Sequence, residues 1–244
     1  MDELIPAFRQ SIFNDSLADG VANIAEVGID SIMSDGLLKD IPIVNLLLNA
    51  SRTFKAIHER NLLKNTALFL DAVNSQKIDD KKVQAYKKKL LNEKTAEREL
   101  GRVIVLLDQY VDNIKAQMLG RLFCQYIDRD YSWDKFCELS DILNRLFLDD
   151  MPFLYSIFGS DGRQAIYHIY KIPYNIKRLE SIGLVELFGE YSSFGDRLLL
   201  SENMFAELTV MVCFLLMSEA AYSRTQSNRK KTSKSSQDKI KGVH

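Results

Sequence analysis

The chain lacks most of what enzymes and exported proteins are built from. Its three cysteines, Cys124, Cys137 and Cys213, are odd in number and have no Cys-x-x-Cys spacing, so neither a disulfide framework nor a zinc site is expected. All three lie in apolar helical contexts and read as buried thiols of a reducing compartment. There are three histidines, His58, His168 and the terminal His244. No GxSxG elbow, Walker loop, GxGxxG turn or HExxH helix occurs, and the pair His58-Glu59 has no second histidine to complete a zinc site. No paired acid and base stands out among the carboxylates. The expectation is therefore a non-enzyme with no cofactor and no metal. The longest apolar run, Val210 to Met217, is far short of the ~20 residues that span a bilayer. The start MDELIPAFRQ carries acid and no apolar stretch, unlike a secretory signal. A cytoplasmic protein without a transmembrane segment is expected.

What the chain has is helical periodicity and an uneven charge. With 244 residues it is long enough for one large domain or two modest ones. The net charge is −1, yet seven basic residues against Asp238 give residues 223–244 a charge of +6 and leave −7 for the remainder. That tail is rich in Ser, Lys, Gln and Asn and is expected to be disordered. It suits either nucleic acid or an anionic membrane, or merely keeps the protein soluble.

Leu17, Val21, Ile24, Ala25, Gly28, Ile29 and Ile32 predict an amphipathic helix. After Gly36, Asp40 is placed to cap and Pro42 to start a second helix through the apolar run Ile41 to Leu48. A buried hairpin is the expectation for residues 36–50, with a membrane-acting segment as the alternative. Helical period continues from Phe54 to Val73, breaks at Asn74-Ser75, and resumes after Asp79 or Asp80. Lys81, Lys82, Lys87, Lys88 and Lys89 then form the main basic cluster of the body, read as a solvated face. Leu100, Ile104, Leu107, Val111, Ile114, Met118 and Leu122 repeat every four or three residues, a seam for a partner helix. Unbroken from Thr95 to Ile127, that helix is roughly 50 Å long; Asp108 and Asp112 mark where it would bend. The seam serves either as core or, over residues 100–122, as a homodimer interface. Ser132 caps a further helix bearing Phe136, Leu139, Ile142, Leu143, Leu146 and Phe147.

The C-terminal part has a different texture. Pro173 suits the first turn of a helix, and Ile176, Leu179 and Ile182 recur at helical spacing up to Gly183. Leu184 to Phe188 reads as a strand, Gly189 to Gly195 as a wing loop, Leu198 to Leu200 as the return strand, and Ser201 as the cap of another helix. Arg163 to Lys171 is expected to be the helix before it. The pattern Leu-x-x-Ile-Gly-Leu-Val, loop, Leu-Leu-Leu-Ser-Glu resembles the signature of many bacterial winged-helix domains; an ordinary αββα piece is the alternative. The expected fold is mainly α: a helical bundle over 1–131, an α+β winged-helix-like unit over 132–222, and the tail over 223–244.

On such a unit, Lys171, Asn175, Lys177, Arg178 and Arg197 are the candidate nucleic-acid or partner-binding residues. The cations suit phosphates and Asn175 a base edge, while Glu180, Glu186 and Glu190 oppose them. Two matches to the Arg-x4–6-His pattern of HEPN ribonucleases occur, Arg163 to His168 and Arg52 to His58. In that family the histidine assists proton transfer and the arginine stabilises the phosphorane.

Over most of its length the chain is similar in layout to prophage- and plasmid-borne bacterial proteins of the Abi-alpha, abortive-infection group. The stretches GLLKDIPIVNLLLNASRTFKAIHERNLLKNTALFL and RELGRVIVLLDQYVDNIKAQMLGRLFCQY, followed by LESIGLVE and LLLSE, carry that likeness. It implies a cytosolic, mostly helical protein tied to phage defence and supplies no active-site residue. The expected function is a non-enzymatic interaction or regulatory protein with a protein partner. A DNA-binding regulator, an HEPN-like RNase toxin and a membrane-acting effector are the alternatives.

Overall fold

The structure is a computed structural model, and it describes residues 3–13, 41–53, 57–128, 131–151, 154, 167–169, 174–188 and 196–200. The predicted helix over Leu17 to Ile32, the wing loop, Cys213, the helix after Ser201 and the basic tail lie outside these residues. The described part is mainly helical. It divides into two compact units, Met1–Arg145 and Leu146–His244.

The first unit holds α1 (Leu4–Ser11), α2 (Pro42–Thr53), α3 (Ile57–Asn74), α4 (Asp80–Lys89), α5 (Glu93–Gln109), α6 (Ile114–Asp128) and α7 (Trp133–Arg145). The helix starting after Ser132 was expected in the C-terminal unit. It lies in the first one, because Phe136, Leu139, Ile142 and Leu143 bury their stripe there and α7 packs on α6. Ser132 Oγ accepts from Lys135 N–H at 3.1 Å, the cap its sequence predicts. Asp79 likewise caps α4, accepting from Lys81 N–H at 2.7 Å.

The apolar face of α2 is interior. Ile41, Ile43, Val44 and Leu48 are buried and α2 packs on α1, as expected of a buried hairpin over residues 36–50. The orphan amide of Ile43, in the first turn, is capped from a distance by Ser11 Oγ at 3.0 Å. Asp40, the expected cap, is outside the described residues.

The segment Thr95 to Ile127 is two helices, broken close to the bend expected at Asp108 and Asp112. Between them Tyr110 to Asn113 turns the chain, and Val111, a seam position by its spacing, is 86% exposed. Three asparagines explain the break. Asn65, fully buried on α3, donates to the Leu107 and Tyr110 carbonyls at 2.7 and 2.8 Å. Asn61 donates to the Tyr110 carbonyl at 2.6 Å, and Asn113 donates to Asn65 Oδ1 and Asn61 Oδ1. These bonds satisfy carbonyls that a helix end leaves orphaned. Of the seam positions, Leu100, Leu107, Met118 and Leu122 are buried inside the protomer, while Ile104 and Ile114 are half-buried and Val111 is exposed.

α3 and α6 make the most extensive contact of the unit. They approach at Gly120, where an added Cβ would stand 2.7 Å from the Phe69 carbonyl oxygen and 2.8 Å from Ala72 Cβ. Around this crossing Phe8, Phe69, Tyr86, Phe123, Tyr126, Trp133 and Phe136 form a chain of ring contacts, each with centroids 5.0 to 5.9 Å apart. Edge-on and stacked pairs of this kind add specificity to their area burial.

The second unit contains a 3-10 turn (Leu148–Asp150), β1 (Tyr167–Ile169), α8 (Tyr174–Ser181), β2 (Val185–Phe188) and β3 (Asp196–Leu200). The strands form an antiparallel sheet in the order β1-β3-β2, with Val185 opposite Leu200 and His168 opposite Arg197. Residues 167–169 were expected in a helix. The run Ile-Tyr-His-Ile-Tyr, β-branched and aromatic by turns, favours a pleated strand instead. Gly183 ends α8 with φ +79°. Gly183 N–H bonds the Glu180 carbonyl and Leu184 N–H the Leu179 carbonyl, both at 2.9 Å, with Leu179 and Leu184 buried together. That pair of bonds with its apolar contact is a Schellman motif, for which a residue without Cβ is needed.

Candidate functional site

Three of the five candidate residues of the second unit, Asn175, Lys177 and Arg178, lie on α8. Ile176 and Leu179 turn inward and are fully buried, which leaves Tyr174, Lys177, Glu180 and Ser181 exposed. Arg178, expected to reach a phosphate, is already engaged. Its Nε donates to Asp150 Oδ2 at 2.9 Å and its Nη2 to Asp150 Oδ1, a two-pronged pair. The guanidinium also lies over the rings of Phe147 and Tyr174, at 4.9 and 5.0 Å from their centroids. Asp150 is almost fully buried, and this pair occupies both of its carboxylate oxygens. The hydrogen bond to Asp150 holds the guanidinium pKa above its ordinary value. Arg178 is thus a structural clamp between the 3-10 turn and α8.

The other candidates fare differently. Asn175 is half-buried, and its side-chain oxygen accepts from Ile176 N–H at 3.1 Å. Lys177 is exposed and joins no ion pair among the described residues. Arg197 sits mid-strand on β3, opposite His168 on one side and Phe188 on the other. Lys171 lies outside the described residues. Those residues present one free cation on α8, beside the carboxylate of Glu180.

His168 is on a strand, and Arg163 is outside the described residues. His58 is on α3, and its Nδ1 is 3.4 Å from Asp108 Oδ1, both side chains substantially exposed. Arg52 is in α2, a different helix.

Periodicity did not single out the strongest electrostatic feature, the carboxylate of Glu99 in the first unit. It is fully buried on α5. Its Oε2 accepts from the hydroxyls of Tyr86 and Tyr126 at 2.9 and 3.1 Å. Its Oε1 accepts from Lys89 Nζ at 2.7 Å and Arg98 Nη2 at 3.1 Å. Lys89 Nζ also donates to Tyr126 Oη at 2.5 Å. Burial pushes the Tyr86 hydroxyl up, and the neighbouring Glu99 charge and hydrogen bond push it further. Burial draws the Lys89 ammonium down, but its bonds to Glu99 and Tyr126 outweigh that and leave it raised. Each carboxylate oxygen has two donors, so Glu99 has no lone pair left to act as a base. The arrangement is a polar node that fixes α4, α5 and α6 to one another. A signal was present: Glu99 follows Ala96 by three positions and precedes Val103 by four, on the buried stripe of its helix.

Of the described cysteines, Cys137, expected to be buried, is only half-buried. Cys124 is buried, and burial pushes its thiol up to about 12. No group of three or more His, Cys, Asp or Glu among the described residues is placed to hold a metal ion. No described helix is long and apolar enough to cross a membrane. No family model, curated protein or solved structure matches this chain.

Proposed function

We propose that the chain is a non-enzymatic interaction or regulatory protein of the bacterial mobile-element or phage-defence type. It acts in the cytoplasm through the surface of a winged-helix-like unit. One observation carries this reading: Arg178 is spent on Asp150, leaving α8 to present Tyr174, Lys177 and Glu180. A face that mixes an aromatic ring with both charges suits a protein partner better than a run of phosphates. The helix–strand–strand order, with β1 added beside the return strand β3, supports the winged-helix-like assignment. The alternatives draw less support. A DNA-reading helix has lost its central arginine to the fold, an RNase pair has His168 on a strand, and a membrane segment has its apolar face inside the first unit.

The test is affinity capture from a bacterial host with the full chain and with a Tyr174→Ala plus Lys177→Glu variant. The reading expects a discrete protein partner that is retained by the wild type and lost by the variant. Equal capture by both, or capture of nucleic acid alone, refutes it.

A further inference from the structure

The C-terminal ends of α1 and α4 enclose a cleft of about 270 Å3. Ile12, Phe13, Leu90 and Leu91 supply its apolar lining, and Arg9 and Lys87 its charge. No carboxylate of the described residues lines it. Arg9, half-buried, donates to the Leu90 carbonyl at 3.2 Å. Lys87, exposed, donates to the Phe13 carbonyl at 3.4 Å and stands 5.8 Å from the Phe13 ring centroid. Neither joins an ion pair among the described residues. Elsewhere in this unit Lys89, Arg98 and Arg102 are held by carboxylates. Leu91 is 71% exposed although it adjoins the fully packed Leu90.

We infer that this cleft binds a small amphiphilic anion, a single carboxylate or similar head on a short apolar tail. One hydrogen bond occupies one guanidinium nitrogen of Arg9 and leaves its other donors for the head group. The Lys87 ammonium supplies a second charge-assisted donor. The tail lies along Ile12, Leu90 and Leu91 and covers the apolar surface now in water. The size of the cleft lies just under the usual range of small-molecule sites, which suits a short tail. This inference is independent of the α8 surface and of its partner.

Isothermal titration of the full chain with octanoate, octanol and acetate tests it. Octanoate is expected to bind saturably with one site per chain; octanol, without the charge, and acetate, without the tail, bind at least about tenfold more weakly. Lys87→Gln is the informative variant, because its side chain is exposed and its loss leaves the core untouched. It is expected to weaken octanoate about tenfold with unchanged melting temperature, and Leu91→Ser to weaken it as well. Absence of saturable octanoate binding overturns the inference, as does octanol binding equal to octanoate. So does a folded Arg9→Gln plus Lys87→Gln variant that binds as the wild type does.

Discussion

Gly120→Ala and Gly101→Ala are the same substitution in two helix interiors, and the structure gives them opposite signs. Helix propensity alone favours alanine at both by about 0.8–1.0 kcal/mol. At Gly101, on α5, the new Cβ meets nothing nearer than Ile5 Cδ1 at 3.8 Å, an ordinary contact. The propensity gain is expected in full, about 0.5–1 kcal/mol of added stability. At Gly120 the new Cβ meets the Phe69 carbonyl oxygen at 2.7 Å and Ala72 Cβ at 2.8 Å. Neither is the end of a flexible side chain, so no rotamer change relieves the overlap. The helices α3 and α6 must separate by about 0.7 Å to restore an ordinary contact, and a gap of that size forfeits roughly a quarter to a half of each dispersion well across their interface. Summed over tens of atom pairs this is about 2–4 kcal/mol, in line with overpacked cores. After the propensity gain, a net loss of about 1–3 kcal/mol remains. The assay is urea unfolding followed by fluorescence. Trp133 is the one tryptophan of the chain and lies on α7, so the signal reports the first unit. The urea midpoint should fall for Gly120→Ala and rise for Gly101→Ala with little change in slope. A Gly120→Ala protein as stable as the wild type refutes the close crossing of α3 and α6.

Other outcomes follow from the same unit. Glu99→Gln takes the counter-charge from Lys89 and Arg98, both part-exposed, and gives the two tyrosine hydroxyls a poorer acceptor; a loss of about 1–3 kcal/mol is expected by urea unfolding. Asn65→Ala takes the side-chain donor from the Leu107 carbonyl and the acceptor from Asn113, while Asn61 still serves the Tyr110 carbonyl; stability should fall by about 1–3 kcal/mol, with amide exchange near Tyr110 rising first. Asp71 is pushed up to about 6 from 3.8 by burial, partly offset by the Arg121 charge. Because its folded pKa is the higher one, the folded state binds the proton more tightly, and this group's contribution falls as pH rises from about 4 through 6. Asp71→Asn should therefore raise the urea midpoint at pH 7 and leave it little changed near pH 4; equal shifts at both would contradict the burial of Asp71.

Much of the helical layout was legible because it is local. Ser132 and Asp79 cap where the sequence places them, and Ile176, Leu179, Gly183 and Leu184 spell a helix with its stop. What was illegible is held by distant partners. The 4-3 seam runs on through Val111 because a heptad count cannot see that Asn61 and Asn65, on another helix, cap the carbonyls that end α5. Ser11 caps α2 from 32 residues away. Arg178 looked like a free cation because Asp150, its acid, lies 28 residues upstream. Glu99 stood on its helix's buried stripe and so was visible in principle, but its partners come from α4 and α6. His168 was misplaced for another reason: a short mixed run such as Ile-Tyr-His-Ile-Tyr satisfies both helical and strand patterns, and pairing with β3 decides between them.

Fluorescence anisotropy of labelled duplex DNA at low salt tests the central claim, that Arg178 belongs to the fold and α8 to a protein partner. The full chain should show at most weak, salt-sensitive binding that disappears when residues 223–244 are removed and is indifferent to Lys177→Ala. Tight binding that survives removal of those residues and is abolished by Lys177→Ala would contradict it.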